Sequence, residues 1–266
     1  MLRVSSHQFQ QIWFERFTDK ISLHLRQYFE LPCRVAGEFC VRETIRLGVA
    51  RARYWGLTLE ASAQSYIDHM MLLGSHFDAD PQLPWAKEVL ERPQPELVRL
   101  DSLHAQTQDH LARTAGAESR NLFLAVARAR RNGLDPQLTA PPSRALGEVT
   151  FWLKRLYPEK YRRVYHTVPS LIAHAEATGL SLGFSEPRAL ARILGLMFLA
   201  GGGVCEEPMM PWVGAILRDK ARPAGEREEE LWQSLAAYAD RWLTEARAQG
   251  ILAREAPGEG AEGDVQ

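Results

Sequence analysis

The sequence predicts an all-α protein made of two tandem related helical units. Three observations predict this. Apolar residues recur at three- and four-residue steps through most segments between Gly and Pro breaks, the period of amphipathic helices. A fourteen-residue pattern occurs twice, as Leu72-Leu73-Gly74-Ser75-His76-Phe77-Asp78-Ala79-Asp80-Pro81-Gln82-Leu83-Pro84-Trp85 and as Leu199-Ala200-Gly201-Gly202-Gly203-Val204-Cys205-Glu206-Glu207-Pro208-Met209-Met210-Pro211-Trp212. Hydrophobic residues at 45% and charged residues at 24% are values of a soluble globular chain.

The elements follow in order. Residues 5–30 form one long helix, with Ile12, Trp13, Phe17, Ile21, Leu25 and Tyr28 on its apolar face, Ser5 or Ser6 as cap and Pro32 as terminator. A second helix covers about 38–55 and stops at Gly56, where a C′ glycine belongs. Thr58 starts a third, carrying Tyr66, Ile67, Met70 and Met71, which Gly74 ends. Pro84-Trp85 opens a short helix to Leu90, and a last one runs from about Glu96 to Arg113. Asn121–Arg131 is a short helix inside a stretch punctuated by Gly133, Asp135-Pro136 and Pro141-Pro142. Helices then cover 147–160, 168–178 (closed by Gly179), a segment opened by Ser185-Glu186-Pro187, and 212–218. A charged gap from Asp219 to Glu229 precedes a final helix with Leu231, Leu235, Tyr238 and Trp242. The expected division is a first unit at 1–114, a linker at 115–147, a second unit at 148–250 and a disordered acidic tail at 251–266.

Placing Gly74 on Gly201 puts Met70-Met71-Leu72 on Met197-Phe198-Leu199, Asp80-Pro81 on Glu207-Pro208, and Pro84-Trp85 on Pro211-Trp212. Upstream, Gly56-Leu57-Thr58 pairs with Gly179-Leu180-Ser181 after four extra residues, and Leu25–Phe29 resembles Leu153–Tyr157. Both copies keep Gly, Pro, Trp and an acid, the residues of turns and cores. Gly74, Asp80, Pro81, Pro84 and Trp85, with Gly201, Glu207, Pro208, Pro211 and Trp212, therefore read as a structural corner. The chemistry-bearing residues differ: His76 faces Gly203, and Asp78 faces Cys205.

The net charge of -1 gives no overall pull toward nucleic acid or anionic membrane. Residues 126–163 hold nine basic side chains against three acids, a belt without Gly-rich turns or interleaved aromatics, so a solvated surface is favoured over nucleic acid. The most apolar run, Ile193 to Val204, spans about twelve residues, short of the roughly 20 a bilayer needs. Charges throughout residues 1–20 leave no secretory core, so a cytoplasmic location is expected. Cys33, Cys40 and Cys205 suit reduced buried thiols better than zinc or disulfides.

His76, Asp78 and Asp80 together could hold a divalent cation, which would make a metal-dependent enzyme or toxin. The EF-hand spacing fails, because no Gly stands sixth and no Glu twelfth. No nucleophile elbow, P-loop or dinucleotide fingerprint occurs. No catalytic residue, metal or cofactor is therefore assigned. His76, Phe77, Asp78, Met209 and Met210 are the candidate partner-binding residues, with methionines able to repack against a partner.

Leu25-Arg26-x-x-Phe29, then Tyr54-x-Gly56-Leu57-Thr58, then Met70-Met71-x-Leu73-Gly74-x-x-Phe77-Asp78-x-Asp80-Pro81-x-x-Pro84-Trp85-Ala86 resembles a family of bacterial proteins associated with type VI secretion effector and spike clusters. The resemblance covers residues 1–113 and implies no catalytic residues. It implies an accessory role: an adaptor, chaperone or immunity-type inhibitor binding a secreted effector or spike component.

Overall fold

The chain is all-helical, and the computed structural model describes residues 6–252, among which no strand forms. Ser5 and the tail from residue 253 lie outside the described residues, as does the side chain of Ser6. The first half comprises α1 (Ser6–Tyr28), α2 (Glu30–Ala36), α3 (Glu38–Tyr54), α4 (Glu60–Leu73), α5 (Pro84–Leu90) and α6 (Glu96–Thr114). After α7 (Arg120–Asn132) come α8 (Leu146–Leu156), α9 (Pro158–Val164), α10 (Val168–Ser181), α11 (Pro187–Ala200), α12 (Pro211–Arg218) and α13 (Ala224–Ala248).

Several boundaries differ from expectation, three of them for a local reason. Helix continues past Pro32, which sits in the first turn of α2, where a missing N–H breaks no helical bond; the break falls earlier, at Phe29. The helix expected over 147–160 splits at Tyr157 (φ -145°, ψ 80°), because Pro158 disfavours helical geometry in the residue before it. The charged gap is half helix: α13 starts at Ala224 behind Pro223, and its Arg227 is buried.

Each half closes its own core. Ile21, Leu25, Ile45, Tyr66 and Ile67 are fully buried in the first; Val149, Leu153, Leu171, Leu194 and Leu217 are in the second. Each such side chain stabilises the fold by about 2 kcal/mol relative to exposure. A third cluster of Leu31, Phe123, Leu243, Ala246 and Leu252 joins α2, α7 and the end of α13. The stretch expected to be a linker is thus packed: Phe123, Ala125, Ala129, Leu134, Leu138 and Ala145 are buried. α7 lies along α13, with Arg130 donating to both carboxylate oxygens of Asp240 at 2.9 and 3.1 Å.

The two corner loops share one backbone geometry. Gly74 ends α4 at φ 99°, ψ 151°, and Gly201 ends α11 at φ 103°, ψ 151°. A 3₁₀ turn follows in each, Phe77–Ala79 and Val204–Glu206, and Asp80 (φ -71°, ψ 121°) matches Glu207 (φ -72°, ψ 114°). Gly56 and Gly183 both take positive φ after their helix, Leu57 N donates back to the carbonyl of Ala52, and Phe184 N donates back to that of Gly179, both at 2.9 Å. Gly179 has a different duty, since a Cβ there would come within 2.5 Å of Leu190 where α10 meets α11. Leu57 and Phe184 both fill the core as αL-following residues do. Arg99 and Arg227, each four residues after the proline before its helix, play similar parts. Arg99 donates to the carbonyls of Leu90 (2.6 Å) and Trp55 (2.9 Å), and Arg227 to those of Leu217 and Leu182.

Candidate functional site

The two corner loops meet and clasp each other. Gly202 N donates to Asp80 Oδ2 at 2.8 Å, and Ser75 N donates to Glu207 Oε2 at 2.9 Å. Each loop's acid thus accepts the amide just after the other loop's glycine. Ser75 Oγ adds a 2.6 Å bond to Glu207, while Gln82 N donates to Asp80 at 2.8 Å. Backbones this close leave room for one side chain at the facing positions. A Cβ at Gly203 would lie 2.4 Å from His76 Cβ, so His76 requires the glycine opposite it. The difference between the copies at this position is steric complementarity, and it removes the main reason to treat His76 as chemistry.

Asp78 is likewise committed. Its fully buried carboxylate accepts Arg51 Nη2 (2.5 Å) and Nε (3.0 Å), Trp55 Nε1 (2.5 Å) and Tyr66 Oη (2.6 Å). In the second loop Cys205, four residues after Gly201 as Asp78 is after Gly74, is buried as well. With the lone pairs of Asp78 and Asp80 taken by these donors, the loop has no converging oxygens to offer a cation. No group of three or more His, Cys, Asp or Glu suited to a metal occurs among the described residues. Cys33, Cys40 and Cys205 are free and buried, and burial pushes Cys33 and Cys205 up to about 11. Phe77 and Asp78 are buried in the first core, and Met210 is buried where it lines a cavity. Trp85 and Trp212 are half-buried and pack on the first and second core respectively.

The cavity, of about 310 Å³, lies beside the clasp, between the two halves and α7. Its walls come from the end of α4, the end of α6, α7, α11, the second loop and α13. Most of the lining is apolar: Met70, Met71, Met209 and Met210 from the two corners, Leu134 and Leu196 beyond them, and Trp232 and Trp242 of α13. Leu72 is exposed and Met71, Met209 and Trp242 are half-buried, so these form its mouth. His110, Tyr157 and Leu196 are buried and form its inner end.

That inner end carries a cation. Lys160, on α9, is partly exposed along its stem, but its Nζ lies 5.5 Å from the centre of the buried Phe198 ring. Burial lowers its pKa to about 8, against the opposing pull of Asp80. Among the described residues no carboxylate comes within ion-pair distance of it. His110 beside it is driven down to about 4, chiefly by burial and then by the charges of Lys160 and Arg163. Tyr157 Oη is already spent on the carbonyl of Thr114, at 3.1 Å. The sequence did not pair Lys160 with His110, because they are fifty residues apart and only the fold brings them together. Comparison of the chain with family models, curated proteins and solved structures found no match.

Proposed function

We propose that the chain is two copies of one helical unit, and that it serves as a non-enzymatic binding protein whose site is the cavity between the halves. The observation that carries the reading is this apolar cavity, flanked by methionines of both corners, beside loops whose Asp80 and Glu207 are engaged in holding backbone. Adaptable apolar walls suit a partner's apolar segment, whereas acid–base or metal chemistry needs free polar groups that converge. The matched dihedral angles of the two corners and a common spacing of 127 residues between Gly56 and Gly183, Gly74 and Gly201, and Leu90 and Leu217 support the duplication.

The resemblance of residues 1–113 names the partner class: a secreted effector or a spike or tip component of a type VI secretion cluster. The protein would act on it in the cytoplasm as adaptor, chaperone or immunity-type inhibitor. No helix among the described residues is long and apolar enough to cross a membrane. Affinity capture from the native host tests the reading. It predicts recovery of a secretion-cluster protein with the wild-type chain and loss of that protein with Leu72→Lys/Met209→Lys, at the cavity mouth. Recovery of no such protein, or equal recovery with both chains, would overturn it.

A further inference from the structure

We propose that the inner end of the cavity binds a hydrocarbon chain ending in a carboxylate, with Lys160 as the counter-ion. The inference rests on the reading that this cavity is a binding site, and it names a ligand for the part of it that a protein partner fits poorly.

Three observations lead there. The space of about 310 Å³ lies in the size range of small-molecule pockets, and its walls are mostly apolar. An ammonium stands at the inner end against an aromatic face with no carboxylate at ion-pair distance among the described residues, and so is left to a ligand's charge. The two carboxylates that also line the cavity, Asp80 and Glu207, are held by the amides of Gly202, Gln82 and Ser75, so Asp80 acts on Lys160 only from beyond ion-pair distance and neither acid makes a contact pair with it.

The same bookkeeping separates an acyl chain from a peptide. A peptide entering the inner end would bury amides that need partners. The carbonyl of Thr114 already accepts Tyr157 Oη and Asn121 Nδ2, and the acids are committed. Unpaired amides in such surroundings are costly, while a hydrocarbon has none. One charge opposite one cation, and methylenes elsewhere, is the chemistry that these walls satisfy.

The test is a calorimetric titration of the full-length, delipidated protein with dodecanoate and with dodecanol. The two share a chain and differ in the charge. One-to-one binding is expected, with dodecanoate tighter by about tenfold or more, the scale of one ion pair in a desolvated site. Lys160→Met should bring dodecanoate down to the level of dodecanol, with a melting temperature equal to or above wild type, since it removes a desolvated ammonium that makes no contact ion pair. Leu196→Trp, which fills the inner end, should abolish binding of both and so separates the cavity from surface adsorption. Equal affinities for acid and alcohol in the wild type, or no binding of either, would overturn the proposal. So would a preference that survives Lys160→Met. A protein that captures its partner but ignores dodecanoate loses this inference and keeps the binding reading. One that binds dodecanoate and captures no partner does the reverse.

Discussion

At the scale of single residues, the polar side chains that look reactive are those most firmly held. Asp78 collects four hydrogen bonds from Arg51, Trp55 and Tyr66 inside the first core. Removing it would strand the Arg51 guanidinium and two donors. Asp78→Ala should therefore cost about 3–5 kcal/mol, the penalty for breaking a buried pair from one side, read in a denaturant melt. A near-neutral result would return the residue to the list of functional groups. Two histidines make the pH dependence. His69 donates through Nδ1 to the carbonyl of Ser65, and burial drives its pKa, like that of His110, to about 4. Both imidazoles are neutral when folded and titrate near 6.5 when unfolded, so the unfolded chain binds more protons between those values. Stability is then fully present above about pH 6.5 and falls as pH drops toward about 4, on the order of 3 kcal/mol for each group at most. His110→Gln should remove part of that slope in melts taken from pH 7 to 4. A slope unchanged by the substitution would contradict the assignment.

At the scale of elements, the two corners are the part of the molecule most legible in the sequence. Gly, acid-Pro and Pro-Trp at one spacing fix a helix stop, a turn and a helix start, and these dictate local geometry with little help from the rest of the chain. Gly74 and Gly201 sit at φ 99° and 103° with ψ 151°, a region only glycine reaches cheaply. Gly74→Ala and Gly201→Ala should each destabilise by about 2–3 kcal/mol. The double variant should fall short of the sum, because the loops share the contacts that strain would break. Strict additivity in that cycle would mean that the corners do not hold each other. What could not be read was tertiary in origin. Gly179 looked like a helix stop because glycine serves both stops and close approaches, and only the packing of α10 on Leu190 of α11 tells them apart. The 115–147 stretch looked like a linker because Gly and Pro are dense there, yet α7 supplies wall and floor to the joint between halves.

At the scale of the whole molecule, the clasp, α7 and the third cluster turn two helical halves into one body with a cavity at the seam. No short-range pattern announces such a seam. Met70, Met71, Met209 and Met210 hinted at it, but Lys160, His110 and the wall from α7 come from distant stretches with ordinary helical neighbours. The five residues singled out for partner binding fare unevenly. Met209 lines the mouth and Met210 lies deeper in the same cavity, while Phe77 and Asp78 belong to the first core and His76 to the clasp. Hydrogen–deuterium exchange on the captured complex, compared with the free chain, tests the seam most directly as the binding site. Protection is predicted at Met71–Leu73, around Met209, and on α13 near Trp242. Protection confined to the exposed Phe39 and Tyr54 of α3, with the cavity mouth unchanged, would contradict it.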